Sequence, residues 1–161
     1  MEKQEMNEVQ FVVPGLPKGK GRHRSAPLMR NGKPVIGKGG RPIIIHHSDP
    51  KTVKYENLVA LSAQTAMVGK GLISGAVFLE LDIRLPIPKS WPVKKKDLAI
   101  KGLVGATKKP DVDNLEKSVC DGMNGVVWDD DVQVVQVAKK KRFADVPGVV
   151  VIVRELDLLP A

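Results

Sequence analysis

Two aspartates one residue apart, Asp111 and Asp113, and an aspartate triplet, Asp129-Asp130-Asp131, are the residues of this chain best suited to chemistry. Pro110 disfavours helical geometry at Lys109, so the chain is expected to arrive extended at Asp111. Residues two apart in an extended chain point the same way, which sets the carboxylates of Asp111 and Asp113 side by side. The triplet is harder to explain as structure, because three consecutive acids repel one another and gain no helix cap. Carboxylates from two segments, with no His or Cys among them, describe a hard-cation site. Mg²⁺ takes one or two protein carboxylates, keeps several waters and leaves positions for phosphate oxygens. Clustered carboxylates raise one another's pKa, and a divalent ion removes that cost.

The charge around these acids has the same sense. Of the 161 residues, 26 are Lys or Arg and 18 are Asp or Glu, a formal charge of +8. Ten basic residues and one acid lie between Pro17 and Lys54, and seven lysines and one acid between Lys89 and Lys109. From Asp111 to Asp131 the sign reverses, with seven acids against Lys117 alone. Lys139-Lys140-Lys141-Arg142 follows directly. A solvated surface usually intersperses its charges, so an acidic island between basic flanks calls for a polyanionic partner and a cation between the two. The implied reaction is phosphodiester hydrolysis assisted by one or two metal ions. Lys117, one turn from the Asp pair, is placed to stabilise charge developing on the phosphorane or the leaving oxygen.

Plainer readings compete with this one. An aspartate at a helix start and an Asp/Lys pair four apart are ordinary stabilising features worth about 0.3–1 kcal/mol each. On that reading the chain is a non-catalytic basic DNA-binding protein. A phosphatase with an aspartyl nucleophile also uses two spaced aspartates, but after an apolar strand, whereas Lys108-Lys109-Pro110 precedes them here.

The elements that must position these acids are legible in outline. Gln10–Val13 reads as a short strand closed by Pro14-Gly15. Residues 1–9 are polar and expected to be disordered, and 16–42 read as a basic flexible loop with a hairpin whose second arm is Pro42–His46. Ser48 or Asp49 before Pro50 starts a helix over about Pro50–Val68. Ala76–Leu85 alternates cleanly, with Val77, Leu79, Leu81, Ile83 and Leu85 on one face of a half-buried strand. Ser90-Trp91-Pro92 opens a short helix running to about Lys101. Asp113 or Asn114 caps the next helix, which carries Leu115, Val119, Gly122 and Met123 on its apolar stripe and Asp113, Lys117 and Asp121 opposite. Gly125 ends it. The β-branched runs Val126–Trp128, Val132–Ala138 and Val149–Arg154 are expected strands. The sum is one α+β domain over residues 1–161, a mixed β-sheet with two or three helices packed on it.

Taken together, Pro110-Asp111-Val112-Asp113-Asn114-Leu115, Lys117, Asp121 and then Val127-Trp128, Asp130-Asp131, Gln133-Val134 resemble the RusA family of Holliday-junction resolvases. Pro17-Lys18-Gly19-Lys20-Gly21-Arg22-His23-Arg24 is similar to the basic N-terminal motif of its phage-type members. Pro88-Lys89-Ser90-Trp91 with Lys94-Lys95-Lys96 matches their central basic stretch. The likeness runs from about Phe11 to Val153. It implies an Mg²⁺-dependent endodeoxyribonuclease, with Mn²⁺ as a substitute, that resolves four-way junction DNA by paired symmetric cuts in recombination and repair. Carried over by position, Asp111, Asp113 and Asp131 are the catalytic, metal-binding acids, Asp130 an adjacent ligand and Lys117 the catalytic lysine. The triplet leaves the register open by one residue, and Gln133-Val134 selects Asp130 and Asp131 over Asp129. His23 stands where the family often has proline. Lys18, Lys20, Arg22, Arg24, Lys94, Lys95, Lys96, Lys108 and Lys109 are the expected DNA contacts. The resemblance also implies a homodimer, and two opposed nicks in a near two-fold junction suit an isologous pair of sites.

Composition excludes several other classes. An apolar content of 42% fits a globular domain. The longest apolar runs fall far short of the roughly 20 residues that span a bilayer. A single cysteine, Cys120, can form neither an internal disulfide nor a thiolate cluster, which points to a soluble protein of the cytoplasm. Gly37-Lys38-Gly39-Gly40 lacks the ending of a phosphate-binding P-loop, and no small-molecule cofactor or membrane partner is expected. His46-His47, Trp91 and Trp128 read as structural.

Overall fold

The computed structural model describes residues 7–159 and 161. Strand β1 spans Glu8–Pro14, so the disorder expected over residues 1–9 does not hold for Glu8 and Val9; residues 1–6 lie outside the described part. Alternation explains the strand: Val9, Phe11 and Val13 are buried while Glu8, Gln10 and Val12 face out. The basic segment holds two small hairpins, β2 (Arg24–Pro27) against β5 (Ile44–His47), and β3 (Met29–Arg30) against β4 (Lys33–Pro34). The second arm thus begins at Ile44, two residues after the expected Pro42.

Helix α1 spans Pro50–Ala66, with Asp49 as N-cap accepting from the Lys51 N–H and Pro50 in the first turn, as the sequence dictates. Strand β6 (Val77–Pro86) buries the five odd-numbered apolar residues from Val77 to Leu85. Helix α2 (Val93–Ile100) follows Pro92, with no side-chain cap. Helix α3 spans Val112–Met123 and buries Leu115, Ser118, Val119, Cys120, Gly122 and Met123. A 3-10 turn over Asp131–Gln133 leads into β7 (Val134–Ala144), and β8 (Gly148–Glu155) completes the chain.

The main sheet has the order β1-β8-β6-β7. β8 pairs antiparallel with both β1 and β6, and β7 runs parallel to β6, so the sheet is mixed, as an α+β reading requires. One core unites the buried faces of β1, β6 and β8 with α1 and α3. Gly122 permits the close approach of the two helices, since a Cβ there would lie 2.6 Å from Val59 Cβ and 2.8 Å from the Glu56 carbonyl oxygen. Among the described residues no helix is long and apolar enough to cross a membrane.

Three expectations near the acids are corrected. The N-cap of α3 is Asp111, with extended φ and ψ of −70° and 148°, not Asp113 or Asn114. Helical geometry begins immediately after it, so Asp113 sits in the first turn and the pair is not aligned along an extended strand. Val126–Trp128 is a tight turn and not a strand: Gly125, at φ 74°, donates to the Trp128 carbonyl at 2.7 Å, and Trp128 Nε1 donates to Asn124 Oδ1 at 2.6 Å. Val127 and Trp128 are apolar because both are fully buried plugs of the core. Finally, β7 starts at Val134, because Asp130 caps the preceding 3-10 turn, and it runs on through Lys139–Arg142 to Ala144. Those charged residues are tolerated because β7 is an edge strand with an exposed surface.

Candidate active site

Helix α3 is the axis of the site. Its apolar stripe is locked in the core, which turns Asp113, Lys117 and Asp121 outward, one turn apart on the opposite stripe. At its N-terminus Asp111 is exposed and makes no side-chain cap bond, so its carboxylate is uncommitted. Asp113 is 90% exposed at the side chain, yet its Oδ1 accepts from Lys139 Nζ at 2.6 Å. The same ammonium donates to Glu116 Oε2, so Lys139 of β7 bridges two acids of α3. The hydrogen bonds to Asp113 and then Glu116 raise the pKa of Lys139, and burial opposes them.

The triplet is held by Gln133. Its Nε2 donates to the carbonyl oxygens of Ile73 at 2.8 Å and Gly75 at 3.0 Å, and its Oε1 accepts from the backbone N–H groups of Asp129 and Asp130. Asp130 Oδ1 in turn accepts from the Val132 N–H at 3.1 Å. Contrary to the expectation that the triplet gains no cap, Asp130 caps this turn, and Asp129 is exposed. Asp131 is half-buried. Desolvation raises its pKa first, then the neighbouring carboxylates of Asp130 and Asp121, while Lys117 pulls it down. Lys117 and Asp121 lie on the second half of α3, and their charges act on Asp131, in the turn that follows Trp128. The structure gathers Asp113, Glu116 and Lys139 at the first half.

The donor chemistry fits a hard cation: the groups are all carboxylate oxygens, and the crowding at Asp131 is the kind a divalent ion relieves. Among the described residues, however, no group of three or more His, Cys, Asp or Glu side chains is arranged to hold a metal ion. Asp113 is taken up by Lys139 instead.

The basic segment reaches this helix directly. Ser118 Oγ, fully buried, donates to the Lys18 carbonyl at 2.6 Å, and the Lys20 N–H donates to the Asn114 carbonyl at 3.2 Å. Gly19 passes so close that a Cβ there would lie 3.3 Å from both Asn114 Cβ and Pro110 Cβ. Lys20 Nζ donates to Glu56 at 2.7 Å and to Asp121, so this expected DNA contact is an internal ion-pair partner of α1 and α3. Arg22, Arg24, Lys94, Lys95, Lys108 and Lys109 are exposed, and Lys18 and Lys96 partly so. Lys141 Nζ donates to the carbonyl oxygens of Lys108 and Pro110, which ties the segment before Asp111 to β7. Lys109–Pro110 is a cis peptide.

Sequence reasoning did not select Glu56, Glu116 or Lys139 for the site. The charge run at 139–142 held the only signal for Lys139, and it becomes specific only once β7 is laid beside α3. Cys120, beneath this surface, is buried with its thiol pKa pushed up to about 12, mainly by desolvation and then by Glu116, Asp131 and Asp121.

The family described as endodeoxyribonuclease RusA matches residues 14–154. An uncharacterized protein of Bacillus subtilis (strain 168), YqaN, is 37% identical over 155 residues, covering 94% of this chain and 99% of its own. The extent of the family match, spanning the basic strap, the α3 acids and the Gln133 turn, decides the assignment: the chain belongs to the RusA family of endodeoxyribonucleases, a family of DNA-binding Holliday-junction nucleases.

Proposed function

We propose that this protein resolves four-way DNA junctions by Mg²⁺-dependent paired cleavage, serving recombination and repair in the cytoplasm. The observation that carries the reading is the outward stripe of α3, where Asp113, Lys117 and Asp121 lie one turn apart between exposed basic segments. Asp111, Asp113 and Asp131 would hold the metal, with Asp130 beside them; Mn²⁺ would serve in place of Mg²⁺. A bound divalent ion supplies polarisation of the phosphoryl oxygen and an activated water. Lys117 stabilises the charge that develops at the phosphorus or the leaving oxygen. Were a cation to take Asp113, the Lys139 ammonium would be released from that carboxylate and could meet a phosphate. Arg22, Arg24, Lys108 and Lys109 track the backbone of the arms, so affinity falls steeply with salt through counterion release.

Two symmetric nicks require two sites, and a homodimer supplies them. β7 is an edge strand with Val135 and Val137 exposed, the kind of unpaired edge that a second subunit covers. Incubation with a synthetic four-way junction in Mg²⁺ or in EDTA tests the reading. Paired nicks in opposed strands, formed only with metal, are expected. An intact junction under both conditions would make the protein a binding module.

A further inference from the structure

A cavity of about 750 Å³ opens beside the acids, between the basic strap and the segment that leads into α3. Its size falls within the roughly 300–1,000 Å³ of clefts that enclose small organic groups. Phosphate tracking does not need such a cavity, because a backbone lies on a surface. The lining is of two kinds. Trp91 and Phe143 form an aromatic pair in the wall, with ring centroids 5.1 Å apart at 67°. Lys18, Lys108 and Lys109 bring positive charge to the same cavity, and Asp111 borders it. The chain has six aromatic residues in all, and two of them meet here. Trp91 is only half-buried, so its indole is no core plug of the kind Trp128 is, and the ammonium of Lys95 covers one face 3.9 Å from its ring centroid, which leaves the opposite face for a base.

An aromatic wall with a cationic border recognises a flat heteroaromatic ring attached to a phosphate, which in DNA is an unstacked nucleotide. We propose that this cavity receives one nucleobase extruded from the crossover of the junction, stacked against Trp91 while Lys18, Lys108 and Lys109 hold its flanking phosphates. The proposal rests on the junction reading and deepens it. Nucleotides at a crossover have the least stacking to lose, so extrusion there is cheaper than in a continuous duplex. A base seated beside Asp111 also brings its neighbouring phosphate up to the acids, which gives the site a reason to act at a branch point and to spare linear DNA.

The test is a coupling measurement between Trp91 and the base. Binding is measured in EDTA to junctions carrying an abasic residue at each crossover nucleotide in turn, to the intact junction, and to a linear duplex. The proteins are the parent chain, Trp91→Leu, which keeps an apolar filling of the wall, and Trp91→Phe, which keeps a stacking face. At one crossover position Trp91→Leu should weaken binding to the base-bearing junction about tenfold, and leave the matching abasic junction nearly unchanged. Trp91→Phe should retain most of the base dependence. Equal weakening of base-bearing and abasic junctions at every position, with the parent still preferring junction to duplex, would overturn the pocket and leave the nuclease reading standing. No preference for the junction by the parent chain would overturn both.

Discussion

Lys139 of β7 reaches across to the first turn of α3 and donates to Asp113 Oδ1 at 2.6 Å, with Glu116 on its other side. One ammonium therefore neutralises a carboxylate that the proposed metal site requires. Ammonium and divalent cation compete for the same oxygens, and the competition has a sign. Lys139→Met should tighten Mn²⁺ binding to the free protein by about two- to fivefold, the range of partly exposed ion pairs. Titration followed by the electron paramagnetic resonance of free Mn²⁺ checks this. Weaker Mn²⁺ binding in the variant would show that Lys139 orders Asp113 for the metal and does not oppose it.

Asp111 has no cap bond to lose, so its removal should leave α3 intact. Asp111→Asn is expected to abolish nicking while junction binding stays equal or becomes tighter, because one negative charge near phosphate disappears. Loss of binding and activity together, in a gel-shift and cleavage assay on one preparation, would make Asp111 structural.

Lys117 is exposed on the outward stripe of α3, between Asp113 and Asp121. Lys117→Met should slow single-turnover cleavage by about 100-fold or more, in line with the loss of one transition-state donor, and change junction affinity by only a few-fold. Cleavage at the parental rate would remove Lys117 from the chemistry.

Much of this arrangement is legible in the residues, and the rest is decided by hydrogen bonds and partners that local pattern does not specify. The strand over Val77–Leu85 and the helix after Asp49-Pro50 could be read because each depends on local pattern and capping alone. Ala76–Leu85 and the observed Val77–Pro86 differ by one residue at each end. Val126–Trp128 was misread because β-branched and aromatic residues serve equally as strand or as core plug, and only the Asn124–Trp128 bonds decide. Gln133 is visible as a register marker, but two of its four hydrogen bonds, to Ile73 and Gly75, depend on a segment some sixty residues earlier in the chain. Lys20 was read as a DNA contact because its neighbours are basic. Its two acid partners, Glu56 and Asp121, come from distant helices.

Asp82 on β6 accepts from Arg142 at 2.9 Å and from Arg84 at 3.0 Å, on the sheet face away from the core. The Arg142 hydrogen bond is the largest cause of its lowered pKa, burial opposes it, and Arg84 adds to the lowering. A carboxyl held below its ordinary value of 3.8 stabilises the fold above that pH and loses the contribution as pH falls through the folded-state value. Asp82→Asn should therefore cost about 1 kcal/mol at pH 7 and progressively less below about pH 4. Urea midpoints of the two proteins across pH 7 to pH 3 measure the convergence. A gap that stays constant with pH would show that Asp82 acts through packing.

Gly122 sits where α3 crosses α1, against Val59 and the Glu56 carbonyl. Gly122→Ala should push the helices apart at a cost of about 1–3 kcal/mol, read as a lower thermal midpoint. Because α3 carries the acids on its other side, nicking should fall as well. An unchanged midpoint would mean that the interface relaxes freely.

The most direct measurement is the anomalous scattering of Mn²⁺ in crystals of this protein grown or soaked with the ion. A single manganese bound jointly by Asp111, Asp113 and Asp131, with Lys139 withdrawn from Asp113, is the predicted result. Crystals in which manganese binds elsewhere, or binds Asp111 and Asp113 without Asp131, would contradict the shared-metal account.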